Sequence, residues 1–501
     1  MKNTADFSSL IKAGQMQSHN LFMLCFLTSF LVNDPQFIAA KERPHVVFIV
    51  ADDLQANVMS VYGGPVPTPH LQELANRGCR FQRATCGYPI CHVSRTEFLS
   101  GRSVVAEATP GKVIPFPPEW TLWPTWMQKH GWGTIHSGKW HVNGQPHQRG
   151  FDRTAGLYSS GGAKGQPLTL PISSSGHSVT GYRGWTFKAD SEDGSGKSLL
   201  ELGIGLMPDT DLRIANAAIK QINQTGESPL FLTVNFTAPH DPLHWPKGWK
   251  DSFQASEVEL PVNFLPKHPF DHGNQNGRDE MIIPAPRTRE SVQLQRSIYY
   301  ALVANIDEQV GRIAQALQSR GMLDETIFIF TSDQGLALGS HGLMGKQNQY
   351  EHTTNVPLLI AGPGVPAWRT IVSNCALRDL YPTVCDLCHL ETPISVQGES
   401  LVSLWNTSTE DVTRITYGYF TDTQRMIRDD EGWKLIWYPQ QNLRQLFHLT
   451  ADPHEMNNLA ADPNHAGRLK KLSQQLSNWL TKQGDPVIDA NSPSHPDNSR
   501  D

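Results

Sequence analysis

The chain has 501 residues, 39% of them apolar and 18% charged, with a net charge of −6. That length supports one large core plus a smaller appendage. The small net charge excludes bulk attraction to nucleic acid or to an anionic membrane, so an anionic substrate must be caught by local cations.

In chain order, an export signal comes first. Lys2 and Lys12 precede an apolar run from Leu21 to Val32, and Phe37-Ile38-Ala39-Ala40 offers a small-residue cleavage site. The run is short for a membrane span. Residues 1–40 are therefore expected to be removed, leaving a periplasmic or extracellular chain with no stable membrane association. Cys25 would leave with the signal. Cys385-x-x-Cys388 has no second pair at zinc spacing and reads as core.

His45-Val46-Val47-Phe48-Ile49-Val50 is a continuous, β-branched apolar run, as in a strand buried on both faces, and it ends in Ala51-Asp52-Asp53. Thr68 to Gly78 reads as a helix, with a Thr cap, Pro in the first turn and Gly at the end. Ser94 to Leu99 predicts a short helix with its anion-attracting N-terminus toward Cys91. Gly138-Lys139-Trp140-His141 closes the segment from Thr134, and the Gly- and Ser-rich stretch 157–185 reads as long loops. A helix over 211–224 leads to a buried strand over 229–236, which runs into Pro239-His240-Asp241-Pro242. Residues 257–289 are Pro-rich and loop-like, and 291–320 form a long amphipathic helix stopped by Gly321. Two more buried strands follow, 326–330 ending in Asp333-Gln334 and 356–361, then a helix over 374–389.

Strands alternating with helices predict an α/β fold: a large, mostly parallel sheet sandwiched by helices over 41–400. Residues 415–420, 424–428, 433–438 and 446–449 read as short strands and 465–483 as a helix. They form a smaller antiparallel subdomain over 401–486, and 487–501 is expected to be a disordered tail.

Two buried strands thus end in acids: Asp52-Asp53 and Asp333-Gln334. Three carboxylates and an amide oxygen are hard ligands, suited to calcium or magnesium and not to zinc. Arg95, Lys139 and Lys346 are the cations, and Lys139 and His141, two apart, share a side of an extended segment. His240 follows a buried strand between prolines, whereas His92, His272, His341 and His352 carry no such argument and read as structural. Metal, lysines and arginine describe a site for a tetrahedral oxyanion. These residues alone leave sulfate and phosphate equal.

Cys91-His92-Val93-Ser94-Arg95, followed by Leu99-Ser100-Gly101-Arg102, resembles the signature of the type I sulfatases of the alkaline phosphatase superfamily. The resemblance runs from about Pro44 to Leu459 and takes in the 138–141 box, Pro239-His240, Asp333-Gln334-Gly335, Gly345-Lys346 and Asp452-Pro453-His454-Glu455-Met456-Asn457-Asn458-Leu459. It departs twice: Val93 replaces a usual proline, and Gln334 an Asn or His.

The resemblance implies an alkaline-phosphatase-like sulfatase domain that binds calcium, in preference to magnesium, through Asp52, Asp53, Asp333, Gln334 and residue 91. It implies that a separate formylglycine-generating enzyme converts Cys91 to formylglycine, whose hydrate is the nucleophile. Arg95 would hold that group, Lys139 and Lys346 would grip sulfate, His141 would take the diol proton, and His240 would protonate the leaving alcohol. The expected substrate is a sulfated carbohydrate, with loops 157–185 and 257–289 lining its cleft. The alternatives are a phosphodiesterase or phosphonate monoester hydrolase of the same superfamily, or a non-catalytic glycan binder with Cys91 unconverted.

Overall fold

The computed structural model describes residues 43–107, 113–191, 196–406 and 413–487. Residues 1–40, expected to be an export signal, and the expected tail from 488 onward lie outside the described residues. Among the described residues, no helix is long and apolar enough to cross a membrane. From Pro44 onward they form one compact unit.

Strand β1 (His45–Ala51) is the centre of a nine-stranded sheet. The others are β2 (Gly78–Thr85), β3 (Gly133–Trp140), β4 (Arg153–Ser159), β5 (Thr186–Phe187), β6 (Leu230–Asn235), β7 (Thr326–Ser332), β8 (Asn355–Ala361) and β9 (Arg369–Ala376). Their order is β5-β4-β3-β6-β1-β7-β8-β2-β9. Strands β4, β3, β6, β1 and β7 run parallel; β8 is antiparallel to both its neighbours, and β5 is a short antiparallel edge.

The helices of seven or more residues are α1 (Pro69–Asn76), α2 (Cys91–Ser100), α3 (Trp123–Lys129), α4 (Thr210–Gln224), α5 (Arg289–Ser319), α6 (Leu380–Leu387) and α7 (Ala466–Gln483). Helices α1 to α6 cover both faces of the sheet. Val47 and Ile49 of β1 pack with α1, α4 and α5 on one face. Val46, Phe48 and Val50 pack with Phe98 of α2, Trp123 of α3 and Leu380 of α6 on the other. Phe48 alone meets Phe98 at 5.3 Å and Trp123 at 5.1 Å between ring centroids. Burying each such side chain contributes about 1.5–3 kcal/mol, which is why β1 needs no polar alternation.

A second sheet of β10 (Thr416–Phe420), β11 (Gln424–Arg428), β12 (Trp433–Tyr438) and β13 (Leu443–His448) is an antiparallel meander. Ile427, Leu435 and Trp437 pack under α7, while Met426, Ile436 and Tyr438 pack on Tyr350 and Leu343 of the larger unit.

Four local expectations change. The predicted 374–389 helix is split: β9 runs to Ala376, and α6 starts only at Leu380. Cys375 and Ala376 belong to β9 because they pair with Ala84 and Thr85 of β2. Strand β2 was hidden by Arg80, Gln82 and Arg83, and Gly78 opens it instead of ending a helix. A Cβ at Gly78 would stand 2.0 Å from the Ile360 carbonyl, so this strand pairing demands glycine. The stretch read as loops from 157 begins inside β4. Finally, the Thr68 side chain does not cap α1. The Asp307 carboxylate of α5 does so, accepting from the His70 and Leu71 N–H groups at 3.2 and 2.8 Å.

Candidate active site

The registers of β1, β6 and β7 bring their C-terminal ends level: Val50 stands beside both Asn235 and Thr331. Backbone hydrogen bonds extend this beyond the strands, from Asp52 N–H to the Ala238 carbonyl (3.0 Å) and from Asp333 N–H to Ala51 (3.2 Å). Carboxylates just past parallel strands therefore meet the loop carrying His240, in the usual crevice of an open α/β sheet. Asp53 takes a left-handed backbone (φ 71°), an uncommon state for aspartate that turns the chain at the strand end.

Helix α2 delivers the cysteine. It begins at Cys91, earlier than Ser94, so the cysteine itself lies in the first turn, where free N–H groups favour anions. Val93 is also in that turn; its N–H donates to the Ile90 carbonyl (3.0 Å) and its side chain packs in the cluster of Tyr88, Val104 and Trp120. Gly101 ends the helix at φ 66°, and a Cβ there would meet Val396 at 2.8 Å.

All ten predicted site residues converge. Cys91 Sγ lies 3.1 Å from Asp52 Oδ1 and 3.1 Å from Gln334 Nε2. Arg95 Nε donates to Asp333 Oδ2 (2.9 Å), and its Nη2 stands in ion-pair contact with the same oxygen at 2.8 Å. Lys139 pairs with Asp52. Lys346 Nζ is 2.7 Å from Asp53 Oδ2 and 2.7 Å from His240 Nε2. The His141 ring packs on Trp185 at 5.2 Å and on His92 at 5.7 Å. Cys91, Arg95, Lys139 and Lys346 are each no more than 3% exposed.

Burial and crowding set the protonation of these groups. Burial opposes charge on Asp52, yet Lys139, His240, Arg95 and Lys346 hold its carboxyl well below the ordinary range. Asp53 goes the other way: burial, with Asp52 and Asp333 beside it, outweighs Lys346 and pushes it well up. Asp333 is raised to about 6 by burial and then by Asp52. Burial, then Lys346, keeps His240 neutral; burial, then Lys139 and His92, does the same for His141. Burial and Asp52 drive the Cys91 thiol up, so it stays protonated and is a poor nucleophile.

The donor set fits a hard cation. Ligand atoms of Asp52, Asp53, Cys91 and His240 lie within 4.8 Å of one another. Gln334 Oε1 is buried with no hydrogen-bond partner among the described residues. A half-turn of that amide would bring its oxygen to the side now facing Asp53 and Cys91. Such carboxylate and amide oxygens suit calcium or magnesium.

Four groups unforeseen in the sequence join the centre. Tyr182 donates to Asp52 Oδ2 (2.8 Å), and Lys139 Nζ lies 5.0 Å from its ring centre. Asp241 faces His240; Arg278 and Asp279 flank Asp241 and Lys346. Asp241, adjacent to His240 in the sequence, was within reach of inference. Tyr182, Arg278 and Asp279 were not, because only chain folding brings loops 157–185 and 257–289 to the strand ends.

A sheet with acids and a helix N-terminus at its strand ends, ringed by lysine and arginine, defines a hydrolase of tetrahedral oxyanion esters. Comparison with known proteins makes this specific. The sulfatase family model matches residues 44–390, and the C-terminal model of N-sulphoglucosamine sulphohydrolase matches residues 339–482. An arylsulfatase of Clostridium perfringens is 26% identical over 90% of this chain and 97% of its own. An N-acetylglucosamine-6-O-sulfatase of Bacteroides thetaiotaomicron is 25% identical over 94% and 92%. A protein solved with its substrate D-glucosamine-2-N,6-O-disulfate superposes at a TM-score of 0.70, with 22% identity over 90% of this chain and all of that one. A phosphonate monoester hydrolase of Silicibacter pomeroyi has the same fold, with a TM-score of 0.71 and 20% identity over 89% of this chain and 97% of its own. The chain belongs to the sulfatase family of the alkaline phosphatase superfamily and is a sulfuric ester hydrolase.

Proposed function

We propose that the protein releases inorganic sulfate from a sulfated carbohydrate, using formylglycine made from Cys91 and a bound calcium ion. The observation that supports this most is the placement of Cys91. It lies in the first turn of α2, in contact with Asp52 and Gln334, where burial and then Asp52 push its thiol up and disfavour the thiolate. A cysteine so placed makes better sense as a precursor than as a nucleophile.

Asp52, Asp53, Asp333, Gln334 and residue 91 would hold the calcium, which would offset sulfate charge and activate the nucleophile. Formylglycine hydrate supplies a hydroxyl for attack on sulfur and an internal route for expelling sulfate. The chain's own residues do the rest. Arg95, bound to Asp333, keeps residue 91 in place. Lys139 and Lys346 grip sulfate oxygens, His141 takes the diol proton, and His240 protonates the leaving alcohol. A formylglycine-generating partner must read residues 91–95 as an extended peptide; Val93 favours that shape as the usual proline does. Because Cys91 is 2% exposed and helical once folded, conversion would precede folding. The lysines and the apolar run before residue 40 support a periplasmic or extracellular location for the reaction.

A carbohydrate substrate is favoured by the named substrates of the sugar sulfatase relative and of the glucosamine-disulfate complex. Both long loops also reach the centre, through Tyr182 and Arg278. The test is release of sulfate from sulfated polysaccharides, with Cys91→Ala as control and nitrophenyl phosphate and phosphonate esters as competitors. The expected result is sulfate release that the control reduces to background, together with a Cys91 peptide whose mass shows an aldehyde. Equal release from Cys91→Ala, or faster turnover of the phosphorus esters, overturns the proposal.

A further inference from the structure

We propose that Asp241, clamped by Arg278, is a positioning residue that presents the Nε2 of His240 to the leaving oxygen of the substrate. The inference rests on His240 being the general acid, and adds what holds it in that role.

His240 Nδ1 faces two acceptors, both from Asp241: its backbone carbonyl oxygen and its carboxylate Oδ1 at 3.2 Å. A ring nitrogen between two acceptors carries the hydrogen. Nε2 is therefore the nitrogen left to work. It lies 2.7 Å from Lys346 Nζ, and the imidazole stands edge-to-face on Tyr182 at 4.9 Å.

Asp241 is itself held. Arg278 donates to both of its oxygens, Nη1 to Oδ2 at 2.5 Å and Nη2 to Oδ1 at 3.2 Å. The same guanidinium pairs with Asp279. Asp279 accepts from Gln347 at 3.0 Å and lies 3.7 Å from Lys346 Nζ. His240, Asp241, Arg278, Asp279 and Lys346 thus close a ring in which the imidazole is held from both sides. Buried ion pairs of this kind are poor devices for stability, since apolar residues of similar volume do as well or better. They are good devices for orientation: a carboxylate behind a histidine selects its tautomer and angle.

The step served is proton delivery. As the sulfur–oxygen bond to the leaving group breaks, that oxygen keeps the electron pair and takes the Nε2 proton of the imidazolium that forms beside the bound anionic sulfate, and the ring returns to its neutral Nδ1–H form. A poor leaving group needs this proton, and a nitrophenolate does not. Loss of orientation should therefore be selective for leaving group, which loss of packing would not be.

The experiment measures turnover of aryl sulfates from nitrophenyl to unsubstituted phenyl in the whole, calcium-loaded, converted enzyme and in three variants. In Asp241→Asn, Arg278 draws the amide oxygen and leaves the amide NH2 facing Nδ1–H, so the ring keeps the backbone carbonyl but loses the carboxylate that fixes its angle. Phenyl sulfate turnover is expected to fall roughly 10- to 100-fold, and nitrophenyl sulfate turnover by about threefold or less. Arg278→Gln, at a partly exposed side chain, should steepen the leaving-group dependence in the same direction, and decides the matter if Asp241→Asn does not fold. His240→Ala sets the scale. If His240→Ala is steep while Asp241→Asn and Arg278→Gln parallel the wild type, the positioning role is overturned and the acid stands. If His240→Ala itself parallels the wild type, the acid assignment fails and the positioning role falls with it.

Discussion

Two groups of histidines contrast in this molecule: one stands at the strand ends, placed for chemistry, and the other does not. His141 and His240 sit at the strand ends. The first lies beside Trp185 and His92; the second is between Lys346 and Asp241, 3.8 Å from Asp53. His268, His272, His341 and His352 gather instead around Tyr350, with His341 stacked on that ring at 4.0 Å and His352 at 5.7 Å. Burial lowers the pKa in both groups: His268 to about 4, His272 and His341 to about 3, and His240 and His141 well down. A depressed pKa therefore does not separate them. The neighbours do: carboxylates and a lysine aim the nitrogens of His240, whereas ring faces surround the second group. Both ring nitrogens of His352 lack a hydrogen-bond partner among the described residues.

The sharpest way to break this comparison is to remove one member from each group. His240→Ala should lower turnover of sulfate esters with poor leaving groups by about 10²- to 10⁴-fold, the usual worth of a general acid. Steady-state kinetics on phenyl sulfate measures this, and a loss under tenfold would put both groups on the structural side.

The second prediction concerns acid. The four histidines around Tyr350 have folded pKa values below the ordinary 6.5, so the unfolded chain binds more protons as pH falls through 6.5 toward 4. Stability is thus full above about pH 6.5 and is lost progressively below it. Each such histidine contributes up to about 1.4 kcal/mol per pH unit to that slope. Urea unfolding from pH 7 to 4 should show the decline, with a shallower slope in His352→Phe. An unchanged slope would mean that this residue does not remain neutral in the folded state.

The smallest effect is that of His352→Phe at pH 7. It replaces two unpartnered nitrogens with carbon at similar volume, so stability should change by less than about 1.5 kcal/mol. Turnover should stay at the wild-type value. A large loss of turnover would draw the second histidine group into the chemistry.

The parts of the site legible in the sequence share a physical property: they are local. A β-branched run buried on both faces excludes charged residues, so Asp52-Asp53 and Asp333-Gln334 announce where β1 and β7 end. The segment from Cys91 to Arg102 carries its chemistry within one helix and its glycine stop. Less local features were lost. Strand β2 hides its burial behind Arg80, Gln82 and Arg83, and β9 was merged with the following helix because its pairing with β2 is invisible along the chain.

By itself, the sequence determined an α/β sheet with acids at its strand ends, a cysteine before an arginine, and ten residues that in fact converge. Tertiary structure alone decided what surrounds them. Tyr182 on Asp52, and Arg278 with Asp279 around Asp241 and Lys346, come from loops without periodicity. A strand's burial imprints itself on every residue along it, whereas a loop side chain's partner depends only on where the rest of the chain has folded.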